Sequence, residues 1–304
     1  LNEVEGIKVS RESMRQILLE RGSYVKKRRY PRHRQWREPS AREGQMVQFD
    51  TSDHDWLEGR GPKLYLIGGV DDATSKMLGA KFELVDGVRE NMGVFKDIVQ
   101  RKGVPLSAYV DLNSNFKTTR HGGMEYQLKG DYPSTQFTRA LEELGIRMIY
   151  AYSPQAKGRI ERKFGVFQDR LCSELRLHNI STLEEANRYL VEEFIPKHNR
   201  MFSHPAKESG SAYGLLPEGL KLKEIFCLKE ERAVAGDNTI SYNGKLFQIL
   251  PDEYRLSYVK AKVEVHKYLD GSVNIFYQGK KLKHKPILKE KTKLKLNELA
   301  TINY

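Results

Sequence analysis

The sequence has few cysteines and no long apolar run. Cys172 and Cys227 are the two cysteines among 304 residues, and they lie far apart in the chain. This scarcity excludes a disulfide-rich scaffold and a four-cysteine zinc site, and it favours a reducing cytoplasm as the compartment. No apolar run approaches the roughly 20 residues that a membrane-spanning helix needs, so we expect no membrane partner.

The first residues do not show the pattern of a signal peptide. It begins at Leu1 with a mixed, charged segment instead of a basic and then apolar stretch. We therefore expect a fragment of a longer protein, with sequence missing upstream. The length, the hydrophobic share of 39% and the charged share of 30% fit a globular chain of two or three domains.

Positive charge is in excess, and the excess is confined to the two ends. The formal net charge is +12, and residues 41–229 are nearly neutral, with 27 basic against 26 acidic side chains. Residues 1–40 carry 11 basic against 5 acidic side chains, and residues 230–304 carry 14 against 9. This distribution predicts ends that hold a phosphate backbone and a centre that does chemistry, with a solvated charged surface as the alternative.

The N-terminal end predicts one helix and a basic linker. Over residues 9–22, Ser10 can cap the helix and Gly22 can end it. The segment is similar to the last helix of a helix-turn-helix, with a plain amphipathic helix as the alternative. Residues 23–44 are predicted to be a linker that lies along DNA. The basic residues that we expect to contact DNA here are Arg15, Lys26, Lys27, Arg28, Arg29, Arg32 and Arg34.

Residues 44–205 alternate between strand and helix patterns. The predicted strands are 46–50, 64–71, 76–84, 105–110 and 147–151, and the predicted helices are 88–102, 134–144, 159–178 and 182–198. Three antiparallel strands followed by alternating helix and strand is the order of the ribonuclease-H-like fold. We therefore predict an α/β, ribonuclease-H-like catalytic core.

The pattern changes after the core. Residues 206–230 are predicted to be a linker, and residues 231–304 a small β-barrel with a lysine-rich tail. Asn243-Gly244 and Asp270-Gly271 are strong hairpin signals between short β segments. A small sandwich is the alternative to the barrel.

Three carboxylates stand out by their positions. Asp50 ends the first predicted strand, Asp111 ends a later one, and Glu161 lies near the start of the long helix. Strand ends and the adjacent helix start converge at one edge of an α/β sheet, so the three can meet. Such a cluster needs cations to offset its repulsion, and oxygen ligands favour Mg²⁺ or Mn²⁺, here two ions. A turn residue for each Asp and an ion-paired surface residue for Glu161 are the ordinary alternatives.

The sequence blocks around these carboxylates resemble those of the DDE transposases of bacterial insertion sequences, which share the retroviral-integrase catalytic core. The blocks are residues 49–51, 71–75, 109–116 and 153–161. The resemblance implies an enzyme that nicks transposon ends and transfers the 3'-hydroxyl to target DNA. It implies that Asp50 and Asp111 share one metal ion and that Glu161, with Asp50, holds the second.

The resemblance also implies partners and DNA contacts. The partners would be terminal inverted repeats and target DNA, bound by a homo-oligomer on paired ends in a bacterial, nucleoid-associated setting. Gln155 and Lys157 would lie in the loop that meets the DNA end. At the start of the helix that follows, the expected DNA contacts are Arg159, Arg162 and Lys163.

The chain departs from the family pattern in several places. The interval from Asp111 to Glu161 is longer than is typical of the retroviral enzymes, and residues 117–132 account for the surplus. We predict a mobile loop that closes over DNA there, with a passive surface loop as the alternative. No paired His/Cys zinc module precedes the core. A nuclease without strand transfer and a domesticated, non-catalytic DNA-binding protein are the alternative functions.

Overall fold

The computed structural model of the chain describes residues 9–22, 38–118, 134–151, 158–253 and 255–287. The chain divides into two compact units, residues 1–37 and residues 38–304. The division falls a few residues before the predicted start of the core, and the C-terminal sheets belong to the same unit as the core. Within the described ranges, none of the helices has both the length and the apolar character needed to cross a bilayer.

The described part of the N-terminal unit is helix α1, Arg11–Glu20. The hydroxyl of Ser10 accepts a hydrogen bond from the backbone N–H of Ser13 at 3.0 Å, which caps the first turn. Gly22 follows the helix with φ +65°, the left-handed conformation that ends many helices. Both predicted helix ends are confirmed. The predicted basic residues from Lys26 to Arg34 lie outside the described residues.

A five-stranded sheet forms the centre of the second unit. Its strands are β1 Val47–His54, β2 Leu64–Asp71, β3 Met77–Glu83, β4 Ser107–Val110 and β5 Arg147–Tyr150. They are arranged in the order β3-β2-β1-β4-β5. The first three strands are antiparallel, and β4 and β5 run parallel to β1. The predicted mixed α/β order, typical of ribonuclease-H-like cores, is confirmed.

Helices cover both faces of this sheet. They are α2 Val88–Lys102, α3 Gln136–Glu143, α4 Gly158–Leu177, α5 Leu183–Tyr189, a π-helical turn Leu190–Phe194 and α6 Ile195–Phe202. Pro196 lacks a backbone N–H and crowds the carbonyl group one turn earlier, and the helix widens directly before it.

The first face of the sheet packs against α2 and α3 through aromatic rings. Phe49 of β1 lies 5.2 Å from Phe95 and 5.5 Å from Phe137 between ring centroids. Phe116 packs on Phe137 at 4.9 Å. All four rings are almost fully buried, so this face is a dense hydrophobic core.

The second face packs against α4, α5 and the helical segment that follows. Its hydrophobic core joins β2 and β3 to α4. The main contributors are Leu64, Leu66, Phe82, Ile160, Phe164 and Phe167. These residues explain why the apolar positions of α4 recur at helical spacing.

The C-terminal region contains a short helix and two sheets. The elements are α7 Leu222–Ile225, β6 Cys227–Ala233, β7 Thr239–Tyr242, β8 Lys245–Ile249, β9 Lys262–Tyr268, β10 Val273–Tyr277, β11 Lys280–Leu282 and β12 His284–Ile287. The sheets have the orders β11-β10-β9-β6 and β12-β8-β7 and share one hydrophobic core. Among the described residues they form no closed barrel, so the predicted barrel is replaced by two packed sheets. Both predicted hairpin turns are present, with positive φ at Asn243, Gly244 and Gly271.

The boundaries of this region differ from the predicted ones. Strand β6 begins at Cys227, inside the predicted linker, and the predicted lysine-rich tail contributes β11 and β12. Strand β6 is a run of mostly polar residues, which does not look like a strand in the sequence. The hydrogen-bond partners of these residues come from distant parts of the chain. The amide of Gln136 in α3 bonds the backbone of Lys229 in both directions, at 2.8 and 3.0 Å. The core and the C-terminal sheets are therefore joined directly.

Candidate active site

Asp50 and Asp111 lie on neighbouring strands at the same level. The parallel register pairs Val47 with Ala108 and Gln48 with Tyr109. Continued by two residues, this register places Asp50 beside Asp111, and adjacent strands are about 4.8 Å apart. Strand β1 continues to His54, so the prediction that Asp50 ends its strand is wrong. The strand end that exposes this position is that of β4, after Val110.

Asp50 belongs to a polar stripe on the second face of the sheet. Alternation along β1 places Gln48, Asp50 and Ser52 on one face, opposite Val47 and Phe49. The partner of Asp50 on β2 is Gly68, and the next residue across the sheet is Ala80. On the side of β2 and β3, Asp50 therefore has a glycine and an alanine, the two smallest residues, as its neighbours.

Helix α4 lies along this polar stripe. Its Ile160 N–H donates to Gln48 Oε1 at 3.1 Å, and Gln168 Nε2 donates to Ser52 Oγ at 3.0 Å. Eight residues of helix and four residues of strand both span about 12–13 Å, so the two contacts are equally far apart along the helix and along the strand. Asp50 lies halfway between the two contacts.

Glu161 lies in the first turn of α4, on the side that faces this stripe. It is an exposed residue directly after Ile160 and seven residues before Gln168, so it shares a helical stripe with the side chain that reaches Ser52. Asp50 and Asp111 thus lie on neighbouring strands beneath α4, and Glu161 lies in the first turn of that helix. Among the described residues, no three His, Cys, Asp or Glu side chains are close enough to hold a metal ion. The three carboxylates are oxygen ligands of the kind that Mg²⁺ prefers. Residues 152–157, which join Ala151 to α4, are outside the described ranges.

The loop after Asp111 is fixed by its own side chains. The carboxylate of Asp111 accepts the N–H of Asn113 at 2.9 Å, and Asn113 Oδ1 accepts the N–H of Asn115 at 3.1 Å. Phe116 then enters the hydrophobic core, and its carbonyl accepts the hydroxyl of Thr138 at 2.6 Å. The backbone that leaves the strand end is therefore held on both sides of the turn.

Asp86 lies beside these carboxylates, and the sequence alone does not single it out. Its Oδ1 accepts Thr51 Oγ1 at 3.0 Å, Asn91 Nδ2 at 2.7 Å and Asn115 Nδ2 at 3.1 Å. It therefore joins β1, α2 and the loop after Asp111. In the sequence, Asp86 precedes a glycine and a predicted helix, a position that indicates only a turn or cap.

The two neighbouring acids of the turn after β2 have different surroundings. Asp71 Oδ1 accepts both the N–H and the hydroxyl of Thr74 at 2.8 Å, as expected for a turn residue. Asp72 instead accepts Arg159 Nη1 at 2.7 Å. Arg159, a predicted DNA contact, thus has its guanidinium on a fully buried carboxylate, and 13% of its side chain is exposed.

Lys163, another predicted DNA contact, points into the interior. Its Nζ lies 3.1 Å from His198 Nε2, and Lys163 is 8% exposed. Burial lowers the pKa of Lys163 to about 8 and that of His198 to about 3. The lysine must then donate to the neutral imidazole, and this placement does not present its ammonium group to DNA.

The remaining predicted DNA contacts divide into described and undescribed positions. Arg162 is exposed in the first turns of α4. Arg15 is half-buried on α1, where its Nη1 donates to Glu12 at 2.9 Å. Gln155, Lys157 and most of the surplus segment 117–132 lie outside the described residues. Their DNA contacts stay predictions.

Two curated proteins are similar to this chain over most of its length. "Putative transposase y4bF" of Sinorhizobium fredii is 31% identical over 291 residues, which are 94% of this chain and 61% of that protein. "Transposase for insertion sequence IS1202" of Streptococcus pneumoniae is 29% identical over 231 residues, 76% of this chain and 48% of that protein. The chain thus spans about half to three fifths of the relatives that it matches. The resemblance to bacterial insertion-sequence transposases is confirmed.

The solved structures that are similar to this chain share little sequence with it. No family model matches the chain. The catalytic core domain of HTLV-2 integrase in complex with magnesium is 16% identical with a TM-score of 0.35, covering 48% of this chain and 82% of its own. A chain of the simian T-cell lymphotropic virus intasome in complex with PP2A regulatory subunit B56 gamma is 13% identical with a TM-score of 0.42, covering 86% of this chain and 85% of its own.

Proposed function

We propose that this chain is the catalytic part of a DNA transposase that cleaves transposon ends and joins the 3'-hydroxyl to target DNA. The observation that carries the proposal is the register of β1 and β4. It places Asp50 and Asp111 side by side on neighbouring strands, beneath the helix that bears Glu161. The similarity to two bacterial proteins named as transposases, one of them of an insertion sequence, supports it.

The three carboxylates would hold two Mg²⁺ or Mn²⁺ ions. Bound there, the ions would activate a water or a 3'-hydroxyl and stabilise the oxygen that leaves the phosphodiester. Carboxylate oxygens are the ligands that these ions prefer, and the chain presents three of them from a strand, a strand end and a helix start. Asp50 and Asp111 would share one ion, and Glu161 with Asp50 would hold the other.

The chain's own residues give this site its rigidity. The backbone N–H of Thr51 donates to Asp50 Oδ1 at 3.0 Å, and Asp86 connects Thr51 to the loop after Asp111. Gln48 connects β1 to the first turn of α4. Because catalytic groups must hold their geometry closely, these contacts orient the carboxylates before DNA arrives.

DNA would be held by the basic ends of the chain and by the loop before α4. Among the predicted contacts, Arg15, Arg162, Gln155, Lys157 and the cluster from Lys26 to Arg34 remain in the proposal. Terminal inverted repeats would be bound by the N-terminal unit, and a homo-oligomer would bring two ends together.

A joining assay with precut ends tests this function. The chain would be mixed with labelled, precut terminal-repeat duplexes, a circular target DNA and Mg²⁺, with the Asp50→Asn variant as the matched control. A transposase gives labelled target DNA, and the control does not. Shortened duplexes without joining would indicate a nuclease, and DNA binding without either product would indicate a domesticated binding protein.

A further inference from the structure

Asp72 is a fully buried carboxylate that connects two distant parts of the core. One of its oxygens, Oδ2, accepts both the backbone N–H and the hydroxyl of Ser40 at 2.8 Å. Ser40 belongs to the segment, residues 38–45, through which the chain enters the catalytic core. This segment is therefore attached to the interior of the sheet.

The other oxygen of Asp72 faces the start of α4. Oδ1 accepts Gln48 Nε2 at 2.6 Å and Arg159 Nη1 at 2.7 Å. Gln48 and Asp72 are 0% exposed. A charge-assisted bond in a site shielded from water is strong, so Arg159 is held firmly in place.

Gln48 extends the connection to the helix backbone. Its Oε1 accepts the N–H of Ile160, one of the first N–H groups of α4, which have no partner within the helix. The two residues directly before Glu161 are therefore both held: Arg159 by Asp72, and Ile160 by Gln48.

We propose that Asp72 is a positioning residue for Glu161, and that through Ser40 it couples the segment 38–45 to the first turn of α4. The role of Glu161 rests on the function proposed above. The coupling itself is a property of the fold, since it consists of hydrogen bonds that exist without metal or DNA.

The donor pattern explains why this position needs a carboxylate. Every bond named above brings a donor to Asp72, with Ser40 on one oxygen and Gln48 and Arg159 on the other. An asparagine has one acceptor oxygen and one NH₂ group, so in either orientation its NH₂ meets donors on one side. Asp72→Asn must therefore release either the entry segment or the helix start.

The chain supplies a matched control at the preceding position. Asp71 is also an aspartate with 0% exposure, and its oxygens accept Gly44 N–H at 2.9 Å and Thr74. None of these bonds reaches α4. Asp71→Asn should destabilise the protein by a similar mechanism without loosening Glu161.

The test combines hydrogen exchange with metal dependence, both on the full chain. Exchange of residues 158–165 is measured without metal for the native chain, Asp72→Asn, Asp71→Asn and Ser40→Ala, at temperatures equally far below each Tm. We expect faster exchange in Asp72→Asn, a smaller change of the same direction in Ser40→Ala, and native exchange in Asp71→Asn. In the joining assay, Asp72→Asn should need about 10- to 100-fold more Mg²⁺ for half-maximal rate, and Asp71→Asn should not.

Equal exchange at residues 158–165 in Asp72→Asn and Asp71→Asn would overturn the coupling, as would native exchange in Ser40→Ala. An unchanged Mg²⁺ requirement in Asp72→Asn would overturn its positioning role. If Asp72→Asn does not fold, Gln48→Met, which removes the bonds to Asp72 and Ile160, takes its place with the same expected results. A native chain that joins no DNA would contradict the proposed function, and the exchange results would still decide the coupling.

Discussion

The two faces of strand β1 are built from different chemistry. On one face, Val47 and Phe49 pack among aromatic rings of α2 and α3, and both are 0% exposed. On the other face, Gln48, Asp50 and Ser52 form a polar stripe beneath α4, tied to it by side-chain hydrogen bonds. One strand thus carries a stabilising face and, under the proposed function, a functional face.

This difference separates the residues that fold the core from those that would do its chemistry. Apolar packing on the first face depends on shape and volume, so it is sensitive to truncation. The polar stripe depends on the placement of charges and hydrogen-bond partners, so a substitution of equal size can remove function while the fold remains. Variants on the two faces therefore test this separation.

The largest effect is expected from the carboxylates of the functional face. Asp50→Asn, Asp111→Asn and Glu161→Gln should each lower cleavage and joining by at least about a thousandfold, with DNA binding nearly intact. Under the proposed function, each would remove a metal ligand at almost constant volume. Joining assays and gel-shift titrations measure the two. Asp53→Asn, an exposed residue of the same strand paired with Lys63 at 2.9 Å, should stay near native activity. Substantial Mg²⁺-dependent activity in any of the three variants would contradict the site.

The next largest effect is expected on the stabilising face. Phe49→Ala should lower the free energy of unfolding by about 3–5 kcal/mol, because it leaves a cavity among Phe95, Phe116 and Phe137. Denaturant titration measures the loss. Lys81→Ala, on an exposed position of β3, should change stability by less than about 0.5 kcal/mol. A loss below about 1 kcal/mol for Phe49→Ala would show that the two faces do not differ in this way.

An intermediate effect is expected from the buried Lys163–His198 pair under α4. Because burial lowers the pKa of His198 from 6.5 to about 3, the unfolded chain binds a proton before the folded one does as the pH falls. Stability should therefore be lost between about pH 6.5 and pH 3. At pH 4.5 the loss from this group should be about 2 kcal/mol relative to pH 7.

The double variant Lys163→Met/His198→Phe tests this source of acid sensitivity. It removes both titrating groups and keeps a ring among Phe167, Phe194 and Phe202. Denaturant titrations at pH 7 and pH 4.5 should show a smaller acid loss than in the native chain. His204→Gln, at an exposed position, should keep the native acid loss. The same loss in the double variant would assign the acid sensitivity to other groups.

The smallest effect is expected at the basic C-terminal end, outside both faces. Neutralising its lysines should weaken binding to all DNA sequences alike, by a few-fold at moderate salt, and flatten the salt dependence. These are Lys280, Lys281, Lys283, Lys285, Lys289, Lys291, Lys293 and Lys295. Fluorescence titrations against transposon-end and random duplexes measure the affinity and its salt dependence. A variant in which lysines of the neutral centre, such as Lys96 and Lys102, are neutralised is the control. Loss of discrimination between transposon-end and random duplexes, with an unchanged salt dependence of binding, would contradict this prediction.

Much of the core could be predicted from periodicity and turn chemistry. Strand β2 and helix α2 have the predicted bounds, because a short apolar run before a turn marks the strand and an amphipathic stripe marks the helix. The sequence does not reveal strand β6, because the hydrogen-bond partners of its polar residues belong to β9 and α3, which are distant in the chain. The closed barrel was not found, since hairpin signals determine neighbours within a sheet and not how two sheets meet.

The sequence by itself determined the order of the elements and the three candidate carboxylates, because strand patterns, helix caps and motif blocks are local. Only the tertiary structure decided which polar residues support them. Asp71 and Asp72 look alike in the sequence, yet one closes a turn and the other holds Arg159, 87 residues away. Lys163 reads as an exposed base and is buried against His198. Burial and partners depend on where distant segments pack, and no local pattern contains that information.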